Sequence, residues 1–389
     1  MTVARNRSAL IAIGTLLIVS LVVAGCGGSS SSTSSGGGEA TTSGNTEPST
    51  SGNTEATSSV AKEVEELEQR PTSVGVETPT KKTPPKGKSV VFLSCAFPSC
   101  VVLGGYLEEA AAVLGWKVKT IQYKETPEGV KAGWEQLVRL NPDAAIITGG
   151  YPISYYKDQL EEFHENGGVA ISYADPQPAN PNLGIISGIH DGEHFAYQGE
   201  AMAKYVGAKA ESDNILFVTS SGFPVFQPEL EGFESELPKA CPECELEVYD
   251  APISSVGKDL GGRIAQKVQA NPSINGIVLA FGDMAIGLSP ALKGAGIESM
   301  PVVSQAQDET VNEMLRNGEI NSIYASDNPE SMWRAADELS RHFNEESLEP
   351  DEKAELLPKW FLTPENIPSG NAFPLVTEYQ KQYEELWGL

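Results

Sequence analysis

From Lys88 onward the chain alternates short apolar runs with amphipathic stretches of helical period. Strands are predicted at 89–94, 117–123, 144–148, 168–173 and 184–189, with helices at 103–114, 128–140 and 153–166 between most of them. Trp134, Leu137 and Val138 carry the spacing of a buried helix face. Asn141-Pro142-Asp143 breaks that helix before the apolar run Ala144–Thr148. A helix at 192–206 follows, and the alternation then restarts. Strands are predicted at 215–219, 245–249, 276–280, 301–305 and 321–325, and helices at 227–237, 258–271, 284–294 and 308–317. A helix at 330–345, a strand near Trp360–Leu362 and an amphipathic tail from Val376 to Leu386 complete the pattern. Strands alternating with helices at this length predict parallel sheets covered on both faces. Two successive sets predict two similar α/β lobes rather than one long sheet.

The first unit opens with Val90-Val-Phe-Leu-Ser-Cys-Ala-Phe-Pro-Ser-Cys100, an apolar strand running into a turn that holds Pro98 between two cysteines. Ligands of open α/β sheets bind beyond the carboxyl ends of the strands. The loop Ser94–Cys100 is therefore the first candidate site for a small molecule.

The residues before Lys88 have a different character. Arg5 and Arg7 precede a compact apolar stretch, Ala9–Val22, too short to span a membrane comfortably. It ends in Val23-Ala24-Gly25-Cys26, which resembles the lipobox of bacterial lipoproteins. That resemblance implies a signal peptide over 1–25 and a lipidated Cys26 as anchor. Residues 27–59 are almost wholly Ser, Thr, Gly, Asn, Glu and Pro, a composition that buries no core. Val60–Arg70 is predicted as a short marginal helix and 71–88 as a second linker, so that 26–87 reads as one tether. With Cys26 acylated, four of the five cysteines remain. Three pairings exist, of which local spacing favours Cys95–Cys100 and Cys241–Cys244. Disulfides are the default in an exported chain, and a four-cysteine zinc site is the rival reading.

The net charge of −26 argues against nucleic acid, whose phosphates need a basic face. It also argues against a polybasic attachment to lipid. The four histidines, at 164, 190, 194 and 342, show no metal spacing and read as surface or hinge residues. No G-x-S-x-G elbow, H-E-x-x-H pair or P-loop is present, so nothing calls for an enzyme or a cofactor.

Three phrases together carry a wider resemblance. They are Leu103-Gly-Gly-Tyr-Leu-Glu-Glu-Ala-Ala-Ala-Val-Leu-Gly-Trp116, Asn271-Pro-Ser-Ile-Asn-Gly-Ile-Val-Leu-Ala-Phe-Gly-Asp-Met-Ala-Ile-Gly287, and Pro301-Val-Val-Ser with Ile323-Tyr-Ala-Ser-Asp-Asn-Pro329. Over residues 88–363 the chain resembles the type I, ribose-binding-protein-like periplasmic binding proteins of ABC importers. The resemblance implies two Rossmann-like αβα lobes joined by a three-segment hinge, with crossings near 188–192, 325–328 and 357–363. Lobe one would be 88–190 plus 327–357, and lobe two 191–326 plus 358–389 with the tail. It also implies a solute cleft on strand-end loops. Phe97, Pro98, Tyr151 and Tyr173 would face it from lobe one. Phe223, Phe226, Phe281, Asp283, Gln305 and Gln307 would face it from lobe two, with Asp327 at a crossing. Phe97 and Phe281 are placed to sandwich a flat ligand face, and a closed Cys95–Cys100 ring would present Phe97 already fixed. Asp283 has a second reading, as the cap of the helix at Met284.

Sugar binders of that group carry an Asp-Arg pair where Tyr173-Ala174 stands, an Arg near Gln227, and an Asp where Ala306 stands. Charge-assisted bonds of that kind hold polyols, so their replacement by aromatics implies either a less polar solute or a sugar held chiefly by stacking and neutral groups. The expectation is a monomeric, lipid-anchored, extracytoplasmic binding protein that hands a small molecule to an ABC permease. A receptor module signalling to a membrane sensor and an extracytoplasmic enzyme on the same scaffold are the alternatives.

Overall fold

The computed structural model describes residues 51–352, 357–370 and 373–389. The predicted signal peptide, Cys26 and the tether up to residue 50 lie outside the described residues. Among those described, no helix is long and apolar enough to cross a membrane.

After helix α1 (Ser51–Leu67), the elements of lobe one are β1 (Ser89–Ser94), α2 (Pro98–Leu114), β2 (Lys117–Gln122), α3 (Pro127–Leu140), β3 (Ala144–Ile147), α4 (Lys157–Glu165), β4 (Val169–Tyr173) and β5 (Ile185–Ile189). Their sheet runs β2-β1-β3-β4-β5 and is parallel throughout. Lobe two follows with α5 (Gly192–Lys209), β6 (Asn214–Thr219), α6 (Phe226–Ala240), β7 (Glu245–Asp250), α7 (Leu260–Ala270), β8 (Gly276–Leu279), α8 (Leu288–Gly294), β9 (Val302–Gln305), α9 (Glu309–Arg316) and β10 (Ser322–Tyr324). Then come α10 (Asn328–Phe343), the short α11 (Glu349–Glu352), β11 (Phe361–Leu362) and α12 (Tyr379–Leu386). The second sheet runs β11-β10-β9-β8-β6-β7, with β11 alone antiparallel. The two α/β lobes with parallel sheets are those the alternation predicted.

Local chemistry explains the element ends. Thr126 caps α3, accepting from the Gly129 N–H, with Pro127 in the first turn and Asn141 left-handed at the other end. Strand alternation then divides the cores. Val90 and Phe92 pack under α2 and α10, whereas Val91 and Leu93 face the opposite layer with Trp134 and Phe163. In lobe two, α5 and α6 approach until backbone meets backbone. A Cβ on Gly199 or Gly232 would collide with the Glu229 or Ala196 carbonyl of the facing helix.

Four expectations need correction. Helix α2 begins at Pro98, not Leu103, because Pro98 fits a first helical turn and the Phe97 carbonyl accepts from Cys100 and Val101. Helix α6 likewise continues through Pro238 to Ala240.

The stretch 60–87 is not a tether. Val64 is fully buried against α5, with Lys204 and Lys209 paired to Glu63 and Glu68 at 2.7 and 3.2 Å. Val74 and Val76 are buried in lobe one, and the Trp116 indole N–H donates to the Pro85 carbonyl at 2.6 Å.

The tail does not end on lobe two. Val376, Tyr379, Tyr383, Leu386 and Trp387 pack with Trp333 of α10 in the core of lobe one. Local pattern showed that this segment had an apolar face, but not which surface it would meet. Besides the crossings at 189–192, 325–328 and 357–360, residues 68–74 therefore also run from one lobe to the other, and the tail that starts from β11 in lobe two ends in lobe one. The two meet where the Arg70 guanidinium donates to the Pro374 and Leu375 carbonyls at 2.8 and 2.9 Å.

Candidate functional site

Each sheet reverses its strand order once, between β1 and β3 in lobe one and between β6 and β8 in lobe two. A crevice opens at such a switch point, outside the strand ends. Here the two crevices face each other. In lobe one the loops after β1 and β3 are stitched together by Thr148, whose hydroxyl accepts from the Cys95 N–H at 3.0 Å and donates to the Leu93 carbonyl at 3.1 Å. The Tyr123 hydroxyl donates to the Thr148 carbonyl below them. In lobe two, two successive tight turns, closed by Phe223 N–H to the Ser220 carbonyl and Phe226 N–H to the Phe223 carbonyl, turn both rings inward.

Between the lobes lies a cavity of about 90 Å³. Of the predicted site residues, Phe97, Tyr173, Phe223, Phe226, Phe281 and Gln305 line it. Ser326 and Asn328, beside Asp327 at the second crossing, line it too, as do Leu103, Phe195 and Val225, which are not among the predicted contacts. The start of α2 at Pro98 and the first turns of α5 and α6 bring three of them there. No Asp, Glu, Lys or Arg is among the lining residues.

The cleft is shut. The Phe97 ring, from lobe one, meets Phe223 at 5.6 Å and 63° and Phe281 at 5.9 Å and 81°. Phe281 stacks on Phe226 at 5.2 Å and 16°. Phe97 and Phe281 thus touch edge to face and leave no gap for a ligand to be sandwiched between them. The Cys95–Cys100 disulfide closes the small ring that carries Phe97, and Cys241–Cys244 is also formed, which leaves no thiolate for zinc.

The other predicted residues lie beside the cavity. Pro98 is exposed in the first turn of α2. Tyr151 sits at the rim, its ring 5.5 Å from that of Phe223. Asp283 accepts from the Ser99 hydroxyl of lobe one at 2.9 Å, and burial pushes its carboxyl up to about 7, with nearby Asp308 adding to the rise. It is not among the residues that line the cavity, and it is not the side-chain cap of its turn. Gln307 spends both ends of its amide on the Ser326 backbone, at 2.9 and 2.7 Å, and so staples the second crossing.

Asp327 holds the hinge rather than the cavity wall. Its carboxylate bonds His190 Nε2 at 2.7 Å, joining the second crossing to the first, and the His190 ring stacks on Tyr173 at 5.0 Å. Burial, then the Asp327 charge, drives the Tyr173 hydroxyl far above its ordinary pKa, so it stays neutral. His194 beside them is held well below the usual histidine range by burial, with His190, Lys359 and Arg334 adding to the effect.

Ala174 and Ala306 end β4 and β9 at equivalent positions of the two lobes. Both are left-handed, with φ of 56° and 57°, and each carbonyl sits against a strand-end glycine of its own lobe, Gly150 or Gly282.

Solved structures of the same architecture exist. A glucose-galactose binding protein from Geobacillus stearothermophilus superposes with a TM-score of 0.60 at 12% identity, covering 73% of this chain and 99% of that one. A periplasmic ribose ABC transporter protein from Conexibacter woesei gives 0.56 at 17%, covering 68% and 88%. A proposed LacI transcriptional regulator from Bacteroides fragilis gives 0.59 at 13%, covering 72% and 98%. No protein-family model matches the chain, and no curated protein matches it in sequence. The fold is that of the type I periplasmic binding proteins. The His190–Asp327 pair joins two of the segments that connect the lobes.

Proposed function

We propose that this protein is an extracytoplasmic solute-binding protein without catalysis of its own. It would close its lobes on a small molecule and deliver it to an ABC permease, anchored in the bacterial membrane by a lipidated Cys26. The observation that carries this reading is the cavity where two switch-point crevices face each other, with walls drawn from both lobes and from the hinge. Closure completes contacts that neither lobe makes alone, which is how a ligand shifts such an equilibrium. A glucose-galactose binding protein and a periplasmic ribose ABC transporter protein share this architecture, which supports the solute and permease parts. The net charge of −26 weighs against the DNA-binding role of a regulator with this fold.

Native mass spectrometry of the purified protein tests the binding step. A small molecule released unchanged on denaturation is expected. A solute returned chemically altered would make the protein an enzyme instead.

A further inference from the structure

We infer that the Phe97 ring is an internal stand-in for the solute, and that the cleft takes a neutral molecule with an aromatic ring, which displaces Phe97 as it binds. The inference rests on the solute-binding reading and names the ligand class of that same cleft.

The void beside Phe97 is about 90 Å³. An enclosed apolar cavity that accepts benzene measures about 150 Å³, so the void beside Phe97 is smaller than a ring needs and the Phe97 position is the room a ring would take. Phe97 is only half-buried: it stands in the Cys95–Cys100 loop and packs against the core from outside, without being one of its buried members. Phe223, Phe226 and Phe281, by contrast, are buried and fixed on lobe two. They form a box whose occupant, at present, is a benzyl ring from the opposite lobe. Another ring would recover the same edge-to-face contacts on taking its place. A polyol would give them up and strand its hydroxyls against carbon. A charged solute would find no acid, lysine or arginine in the lining, and the His190 imidazole that also lines it is already bonded to Asp327. Gln305, Ser326 and Asn328 offer hydrogen bonds at one end, which suits a ring carrying one or two neutral polar groups.

The test is a thermal-shift titration of the mature protein and of its Phe97→Ala variant with phenol, indole, glucose, ribose and myo-inositol. Phenol or indole is expected to raise the melting temperature of the wild type by mass action, and the three polyols are not. In Phe97→Ala the same probe should bind on the order of tenfold tighter, the factor that about 1.4 kcal/mol of lost competition represents. Shifts with a polyol and not with the aromatics would leave a solute-binding protein and overturn the aromatic class. No shift with any probe would overturn the inference and count against the solute-binding reading as well. Weaker aromatic binding by a Phe97→Ala variant that unfolds as cooperatively as the wild type would also overturn it, because a ring that must leave cannot be needed.

Discussion

The Ser99 hydroxyl donates to the Asp283 carboxylate across the cleft at 2.9 Å. Ser99 lies in the first turn of α2 and Asp283 in the turn after β8, so the bond ties one lobe to the other. Burial and Asp308 bring the Asp283 carboxyl up to about 7, whereas an unfolded chain ionises it near 3.9. Between those values the folded state holds a proton that the unfolded state has released, so this group's contribution to stability falls as pH rises from about 4 to 7. It is level below that window and level above it. Asp283→Asn should therefore melt close to the wild type at pH 4 and above it at pH 8. Parallel melting curves across the whole range would show that Asp283 is not the titrating group.

Ala174 and Ala306 hold left-handed backbone at the edge of the cavity. That conformation costs an L-residue roughly 1–2 kcal/mol. Glycine avoids this cost but loses roughly 0.5–1 kcal/mol more backbone entropy on folding. Ala306→Gly should then stabilise the protein by up to about 1 kcal/mol in urea denaturation. The same exchange at Ala336, inside α10, should destabilise by about 1 kcal/mol. A loss of stability at Ala306 equal to that at Ala336 would contradict the strain assigned here.

What was legible in the chain was whatever depends on short-range pattern. Apolar runs separated by helical periods placed nearly every strand, and strand ends placed Phe97, Phe223, Phe226 and Phe281 together, because a parallel sheet puts all its carboxyl ends on one side. What was not legible depends on distant partners. Asp327 reads as a polar residue at a strand end, and only His190, 137 positions away, makes it a hinge group. Gln307 has a ligand's chemistry but meets the Ser326 backbone first. Val74 and Val76 sit among prolines and lysines, and their burial follows from a groove that lobe one builds elsewhere.

Of the two disulfides, only one bears on binding. Each closes a loop of a few residues, so each is worth about 2 kcal/mol of stability in the chain-entropy model. Only Cys95–Cys100 restrains Phe97. Replacing both of these cysteines with serine should loosen the ring that competes for the box and tighten phenol or indole binding. The same change at Cys241 and Cys244, which join α6 to β7, should leave the affinity unaltered. Isothermal titration of both double variants under one buffer separates them, and matching affinities would reduce the first disulfide to a staple.

Trp387 lies flat on Trp333, with ring centroids 5.3 Å apart and an interplanar angle of 5°. Its indole N–H donates to Asp337 at 2.5 Å, and the same carboxylate takes the Arg341 guanidinium at 2.6 Å. Asp337 and Arg341 are both fully buried, and the Arg341 fork also donates to the Thr78 carbonyl of the N-terminal segment at 2.7 Å. One network therefore joins α10, the tail and the stretch before β1. Trp387→Ala removes a buried ring from a packed core and a donor from a buried carboxylate, a loss of about 3–5 kcal/mol. Trp387→Phe keeps most of the ring and loses only the donor, about 1–3 kcal/mol. Hydrogen exchange locates the effect. Because the tail packs on lobe one, both variants should exchange faster in α2, α10 and residues 74–80, with β6 and β8 of lobe two protected as before. Faster exchange confined to lobe two would place the tail where its position in the chain first suggested.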